Sequence, residues 1–448
     1  MDIANHFRNG AQLMKMMARR VNPRRDRSRL RDRISRLARA GLAGILVLST
    51  TPAVALAEAL TIDEAVAVAL AAQDPTVARF NERAAALDDL AVADSQLPDP
   101  QLRVGLTNFP IDKFNCEQEP MTQVQVGLRQ NFPRGRTLKS LRARREAEAD
   151  SERAALQLQE LRIVFDVRTA WLELYYWIGA RRTVEESRAA VRELVEVIQS
   201  AFAAGLWSNQ DLLRAELELS LLEDRAVDIE RQVDRLRADL GRVIGADHAD
   251  RDLPSAVPTL PMPPGSDVMV DQLTSHPSVD IEDSRIAARE RDIDLARAQY
   301  RPGWSLDVSY GGRGGRRADF ASVMVVLDVP LFVGKRQDRR LSAAQRGKEA
   351  ARHDRGARLL ELKQRLDRAY ADWARLAERI RLYEQVVVQR SASNAEAALD
   401  GYQNQVTDFA ELIRSRLGEL NTELQLRRLR VDHALAQSEL LFLSGEIP

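Results

Sequence analysis

The sequence predicts a mixed α/β membrane protein. Each chain supplies four strands, three chains close a twelve-stranded transmembrane β-barrel, and that barrel continues into a long α-helical barrel. Three observations predict this. The pattern of elements occurs twice with a period near 200 residues. Four short stretches alternate apolar and polar residues. Each pair of strands then runs into helical patterns much longer than a globular core requires.

Residues 1–57 come first and read as a signal peptide. An Arg-rich stretch through Arg39 precedes the apolar run AGLAGILVL from Ala40 to Leu48, and Ala55 and Ala57 supply an A-x-A cleavage site. That run is well under the roughly 20 residues of a spanning helix. Met14, Met16 and Met17 are alternative starts. This leader contains 12 Lys or Arg against 3 Asp or Glu, so the formally neutral chain leaves a mature portion with a net charge of −9. The acidic balance excludes a nucleic-acid partner, because no basic stripe remains to neutralise phosphates.

Residues 58–252 form the first predicted repeat: a helix, strands at about 100–109 and 122–132, and long helices at about 134–204 and 209–245. In the first strand Leu102, Val104 and Leu106 oppose Gln101, Arg103, Gly105 and Thr107. In the second, Val124, Val126 and Leu128 oppose Gln123, Gln125, Gly127 and Arg129. Alternation of this kind suits a water-soluble sandwich as well as a barrel with a lipid face and a lumen face. The helices decide between them: from Pro133 no convincing helix breaker appears until AAGLWSNQD, which allows one helix of about 70 residues, roughly 105 Å long. The aromatic stripe Trp171, Tyr175 and Tyr176 is read as helix packing.

Residues 253–270 are the predicted linker, with five prolines between Leu253 and Ser266. Residues 271–445 repeat the pattern, with strands at about 304–311 and 321–330 and helices at about 333–400 and 406–443. Val279 matches Val77, VLDVPLFVGK from Val326 matches LRQNFPRGR from Leu128, and Gly445 matches Gly245. In the long helix, Leu359, Leu362, Leu366, Ala369, Trp373, Leu376, Ile380, Tyr383 and Val387 step by three and four as a coiled-coil seam. Phe409, Ile413, Leu417, Leu420 and Leu424 form its partner stripe. Pro133 and Pro330 mark the two strand-to-helix junctions, since proline ends ladder pairing. Four strands cannot close a barrel alone, so the chain must oligomerise in outer-membrane lipid, and a homotrimer gives twelve strands, a closable number. Arg103, Arg129 and Asp307 then face the lumen.

No catalytic constellation, phosphate loop or cofactor motif occurs, so no enzyme activity and no cofactor are expected. The single cysteine, Cys116, excludes a disulfide framework, lies far from the cleavage site and is read as a loop thiol. His6, His248, His276, His353 and His433 lack ligand spacing, and no metal site is expected.

LTIDEAVAVAL near the mature start, LPDPQLRVGLTNFP and MTQVQVGLRQNFPRGR, together with the doubled layout, resemble the TolC family of outer-membrane efflux proteins from Leu60 to Gly445. The last two are similar to its heavy-metal, CusC/CzcC-like branch. The resemblance implies a passive outer-membrane exit duct of a Gram-negative tripartite efflux system. Its partners would be a periplasmic adaptor and an inner-membrane RND pump, with the helical part in the periplasm and heavy-metal cations as cargo. Drugs or other small molecules are the alternative cargo, and a secreted structural coiled coil is the competing architecture. The resemblance also implies a gate and adaptor-docking region at two periplasmic tips: Phe202, Gly205, Asp211 and Arg214 in the first, Tyr402, Gln405, Glu411 and Arg414 in the second. The acid-then-Arg spacing at both tips suggests local pairing within each.

Overall fold

The computed structural model describes residues 59–72, 74–203, 208–404 and 406–445; the leader lies outside this range. Helix α1 (Ile62–Ala71) begins at Thr61, whose hydroxyl accepts from the Glu64 amide. It buries Ile62, Ala65, Val66 and Ala69 on one stripe. Helix α2 (Pro75–Ala93) starts with proline at its first position and the Asp74 carboxylate as cap, accepting from the Thr76 amide at 2.7 Å. Strands β1 (Gln101–Thr107) and β2 (Gln123–Phe132) follow. Helix α3 (Thr137–Ala203) runs for 67 residues, roughly 100 Å. Helix α4 (Asn209–Ile244) and the single turn α5 (Ala246–Ala249) complete the first half.

The second half contains α6 (Ser266–Gln272), α7 (Pro277–Ala298), β3 (Gly303–Gly312), β4 (Phe320–Asp328), α8 (Gln337–Leu382), α9 (Val388–Gln403) and α10 (Phe409–Ser444). Helix α6 begins inside the segment expected to be linker. The single helix expected over 333–400 is instead broken by a π turn at Tyr383–Val387, which inserts one residue into the ladder where the coiled-coil seam was expected to run on. The first junction also differs from a strand running straight into a helix. Pro133 to Arg136 form a turn, with Gly135 in the left-handed region at φ +54° and Arg301 Cδ 2.9 Å from where a Cβ would stand.

The strands form one antiparallel sheet in the order β1-β2-β3-β4, with β1 and β4 as open edges. The register aligns Leu102 with Leu128, Val104 with Val126, Val126 with Tyr310, Leu128 with Val308 and Val308 with Val323. One face is thereby apolar from edge to edge and exposed throughout, with Leu102 71% exposed, Val104 69% and Val323 71%; in the edge strands β1 and β4 the other face is exposed as well. In β3 the polar-face residues Gly303, Ser305, Asp307 and Gly311 are the buried ones. This is the inverse of a water-soluble sheet.

The helices extend below the sheet. At the upper level α2, α3, α7 and α8 lie side by side in that order, beneath β1 to β4; farther down, α3 packs with α4 and α10, and α9 with α10. Trp171, 1% exposed, donates its indole N–H to the Leu60 carbonyl at 3.0 Å and stacks on Tyr175, whose hydroxyl donates to the Ser255 carbonyl. The aromatic stripe thus pins the mature N-terminal segment and the proline-rich linker to α3. Arg428 on α10 forks onto Glu173 of α3 at 2.7 and 2.8 Å and also pairs with Asp432.

His276 caps α7. Its Nδ1 accepts from the Ser278 amide, while Nε2 lies 3.3 Å from the Phe442 carbonyl. Burial holds this imidazole down to about 4. The neutral ring is the folded form, so between pH 6.5 and about 4 the unfolded chain binds the extra proton and stability falls with falling pH. Thermal unfolding followed by circular dichroism should lose about 3 kcal/mol across that window, and H276N should flatten the dependence. In the same assay W171A should cost about 3–5 kcal/mol through the lost indole volume and hydrogen bond.

Candidate functional site

Two regions of the described chain concentrate charged and aromatic residues where a conduit would need them: the polar face of the sheet and the tips of the helical hairpins.

On the polar face, Arg129 stands opposite Asp307 across the β2/β3 ladder, and Arg103 lies one strand farther out opposite Gly127. The Asp307 carboxylate accepts from Arg129 Nε at 2.6 Å and from Arg103 Nη1 at 3.1 Å. Asp307 is 6% exposed, whereas the Arg103 side chain remains 57% exposed. Gly127 brings β2 close to β3 here, since a Cβ on it would lie 2.9 Å from Ser309 Cβ. The three predicted lumen residues therefore meet in one cluster with net charge +1, and all three side chains point away from the apolar face. Gln125 donates to Ser309 Oγ at 2.9 Å on the same face. Sequence reasoning did not single out that pair, although its parity along the strands was visible.

The junction prolines occupy different places. Pro133 directly follows β2, whereas Pro330 stands two residues beyond the end of β4. Beside Pro133, Arg134 ties the foot of the sheet to α7, with Nη1 donating to the Gln299 carbonyl at 3.5 Å and Nη2 3.8 Å from Asp328.

At the other end, α3 turns into α4 and α9 into α10. Gly205 and Gln405 lie outside the described residues. Phe202 is 39% exposed near the end of α3. Ser208 caps α4, accepting from the Asp211 amide at 3.2 Å and donating its hydroxyl to the Asp211 carboxylate at 2.6 Å. The predicted local pair between Asp211 and Arg214 does not form, because the carboxylate is engaged by the cap hydroxyl. At the second tip Asp408 caps α10, accepting from the Glu411 amide at 2.8 Å, and Glu411 pairs with Arg414. Tyr402 packs edge-on against Phe409 with ring centroids 6.2 Å apart. Burial pushes the Tyr402 phenol up, and the Asp211 carboxylate adds to it. The glycine that shapes the second tip is Gly401. Its carbonyl accepts from the Val406 and Thr407 amides, and a Cβ there would come within 2.9 Å of the Thr407 side chain.

Among the described residues, no group of three or more His, Cys, Asp or Glu is placed to hold a metal ion, and no helix is long and apolar enough to cross a membrane.

Comparison with known proteins supports the same reading. Residues 269–446 match the family model described as outer membrane efflux protein. No curated protein matches the chain in sequence. Among solved structures, a CusC structure is similar at TM-score 0.72 and 14% identity, covering 86% of this chain and 92% of that one. VceC from Vibrio cholerae gives 0.72 and 17%, covering 86% and 96%. The open-state MtrE channel of Neisseria gonorrhoeae gives 0.70 and 14%, covering 86% and 88%. At these identities the structures speak for the fold, and the family match, which covers residues 269–446 and so less than half of the chain, places that second repeat among the outer membrane efflux proteins, a family of passive channels and not enzymes.

Proposed function

We propose that three copies assemble into a continuous duct, a twelve-stranded barrel in the outer membrane above a helical barrel in the periplasm, through which a partner pump expels its cargo. The observation that carries this reading is the sheet itself: two open edges flank an apolar face that is exposed from β1 to β4. In lipid each unpaired backbone group is costly, and barrels close so that none remains. With β1 and β3 running one way and β2 and β4 the other, β4 of one copy can pair antiparallel with β1 of the next, and twelve strands close at an even number.

In this assembly the two halves of each chain act as pseudo-equivalent units, products of an internal duplication. The caps Asp74–Pro75 and His276–Pro277 hold corresponding places at the start of α2 and α7. The two tips form the periplasmic end that gates the duct and meets an adaptor protein and an RND pump. Arg414 offsets the charge of Glu411, whereas the neutral Ser208 hydroxyl leaves that of Asp211 without a counter-charge, so the two tips differ in charge balance.

Heavy-metal cations are the proposed cargo, on the local patterns around β1 and β2. The net positive Arg103, Asp307 and Arg129 cluster favours a second reading, export of neutral or anionic small molecules. Growth of a gene-deletion strain on copper, silver, zinc, cobalt and cadmium salts separates them: hypersensitivity to at least one is expected, and unchanged sensitivity to all five without a compensating paralogue leaves the small-molecule reading. The purified protein should conduct in planar bilayers. R103Q should lower the lumen charge by one per copy and move the reversal potential in a salt gradient toward cation selectivity, with under about 1 kcal/mol of stability lost at this exposed pair. E411Q should free Arg414 and change the open probability while leaving the selectivity of the barrel as it was.

A further inference from the structure

The assembly proposed above brings β4 of one copy beside β1 of the next, and the two edges themselves determine how those strands align. Both are exposed along nearly their whole length. On β1 the apolar side chains stand at Leu102, Val104 and Leu106; on β4 the same face carries Val323, Val325 and Leu327, which lie opposite Val308, Leu306 and Trp304. A slip of one residue would turn every one of these to the other face, so only alternate registers keep the apolar band whole. Within a copy, a line drawn straight across the ladders runs from Arg103 through Gly127 and Ser309 to Ser322. In a closed barrel that line steps along the strands by a fixed number of residues at each copy, and the step sets the strand tilt. At about 3.3 Å per residue and about 4.8 Å between strands, steps of two, four, six and eight residues over four strands give tilts of about 19°, 35°, 46° and 54°. Membrane barrels tilt by about 35–45°, which leaves four and six. A four-residue step in the opposite direction would leave only Phe320 and Gln101 facing each other, so the direction is settled by overlap.

Apolar pairing does not separate the two registers. A step of four sets Leu327 opposite Leu102, and a step of six sets it opposite Val104. Charge on the polar face does separate them. With a step of four, Asp328 faces Gln101 and Arg103 faces Val326; with a step of six, Asp328 faces Arg103. The Asp328 side chain is 69% exposed, and the cation beside it in its own chain, Arg134, stands 3.8 Å away. Arg103, at the opposite edge, is 57% exposed and gives Nη1 to Asp307 at 3.1 Å. Its remaining guanidinium N–H groups can serve a second carboxylate. Opposite charges facing each other across neighbouring strands stabilise their pairing.

We propose that Asp328 of each copy pairs with Arg103 of the next, in the register that steps by six residues per copy, so that the charged cluster on the polar face is completed by the neighbouring subunit. A row of alternating charge then crosses every boundary between copies: Arg134 and Asp328 of one copy, then Arg103, Asp307 and Arg129 of the next. The inference rests on the trimeric barrel proposed above and adds the alignment of its seams.

Cysteine pairs on the apolar face read the register while leaving the charges in place. The full mature protein carrying C116S and one such pair, first checked for heat-modifiable barrel migration, is treated in its membrane with a short bifunctional thiol reagent and separated on a denaturing gel. L327C/V104C should link copies about tenfold faster than L327C/L102C, whose members are diagonal neighbours in the proposed register. Both pairs share one strand parity, so their ladder geometry is the same. Equal rates, faster linking of L327C/L102C, or no linking in material that sediments as a trimer would each overturn the register alone; material that sediments as single chains would overturn the trimer and the register with it. Heat dissociation of the trimer reads the ion pair. D328R, which sets two cations face to face, should lower the dissociation temperature, and R103Q/D328R should recover part of that loss, the remainder belonging to Arg134 in the same chain. A loss that R103Q leaves unrelieved would overturn the pair.

Discussion

The sheet has its apolar residues on the outside and its hydrogen-bonding side chains on the sheltered face, and it has two open edges. That combination constrains everything else in the chain. In water the exposed band of Leu102, Val104, Val126, Val308 and Val323 would be an aggregation surface, and the open edges of β1 and β4 would recruit further strands. In lipid the band is solvated, and the edges still require partners. The proposed assembly answers both demands together.

The helices below carry the opposite chemistry. Their surfaces are rich in Arg, Asp and Glu paired at three- and four-residue spacings, pairs that favour solubility more than stability. Stability comes instead from a few buried nodes. Trp171 holds the N-terminal segment, Arg428 and Glu173 lock α10 onto α3, and His276 caps α7 under Phe442. These nodes join elements more than a hundred residues apart, and the Arg428–Glu173 pair is the one of the three that spans the two halves.

The alternation in the strands was legible because a period of two cannot be mistaken over seven to ten residues, and register then follows from keeping the apolar parity together. The seam Leu362, Leu366 and Ala369 was likewise visible, and these residues are buried. What the sequence hid has local physical causes. The turn at 133–136 turns on Gly135 at positive φ, within a segment whose composition is helical on both sides. The π turn at Tyr383–Val387 lacks a proline or glycine to announce it. A histidine serving as a helix cap leaves little trace in one sequence, although the match of Val279 with Val77 already sets it opposite Asp74. At the tips, the spacing suggested two identical acid–Arg pairs; the Ser208 hydroxyl claims Asp211, while the second tip has Asp408 as its cap and leaves Glu411 for Arg414.

The most direct measurement is the number of chains per particle. The mature protein extracted from membranes in mild detergent should show, by sedimentation equilibrium at matched density, a protein mass of three chains that persists on dilution. A stable single chain that stays in solution after the detergent is removed would contradict the account, because the apolar band and both open edges would then need no partner.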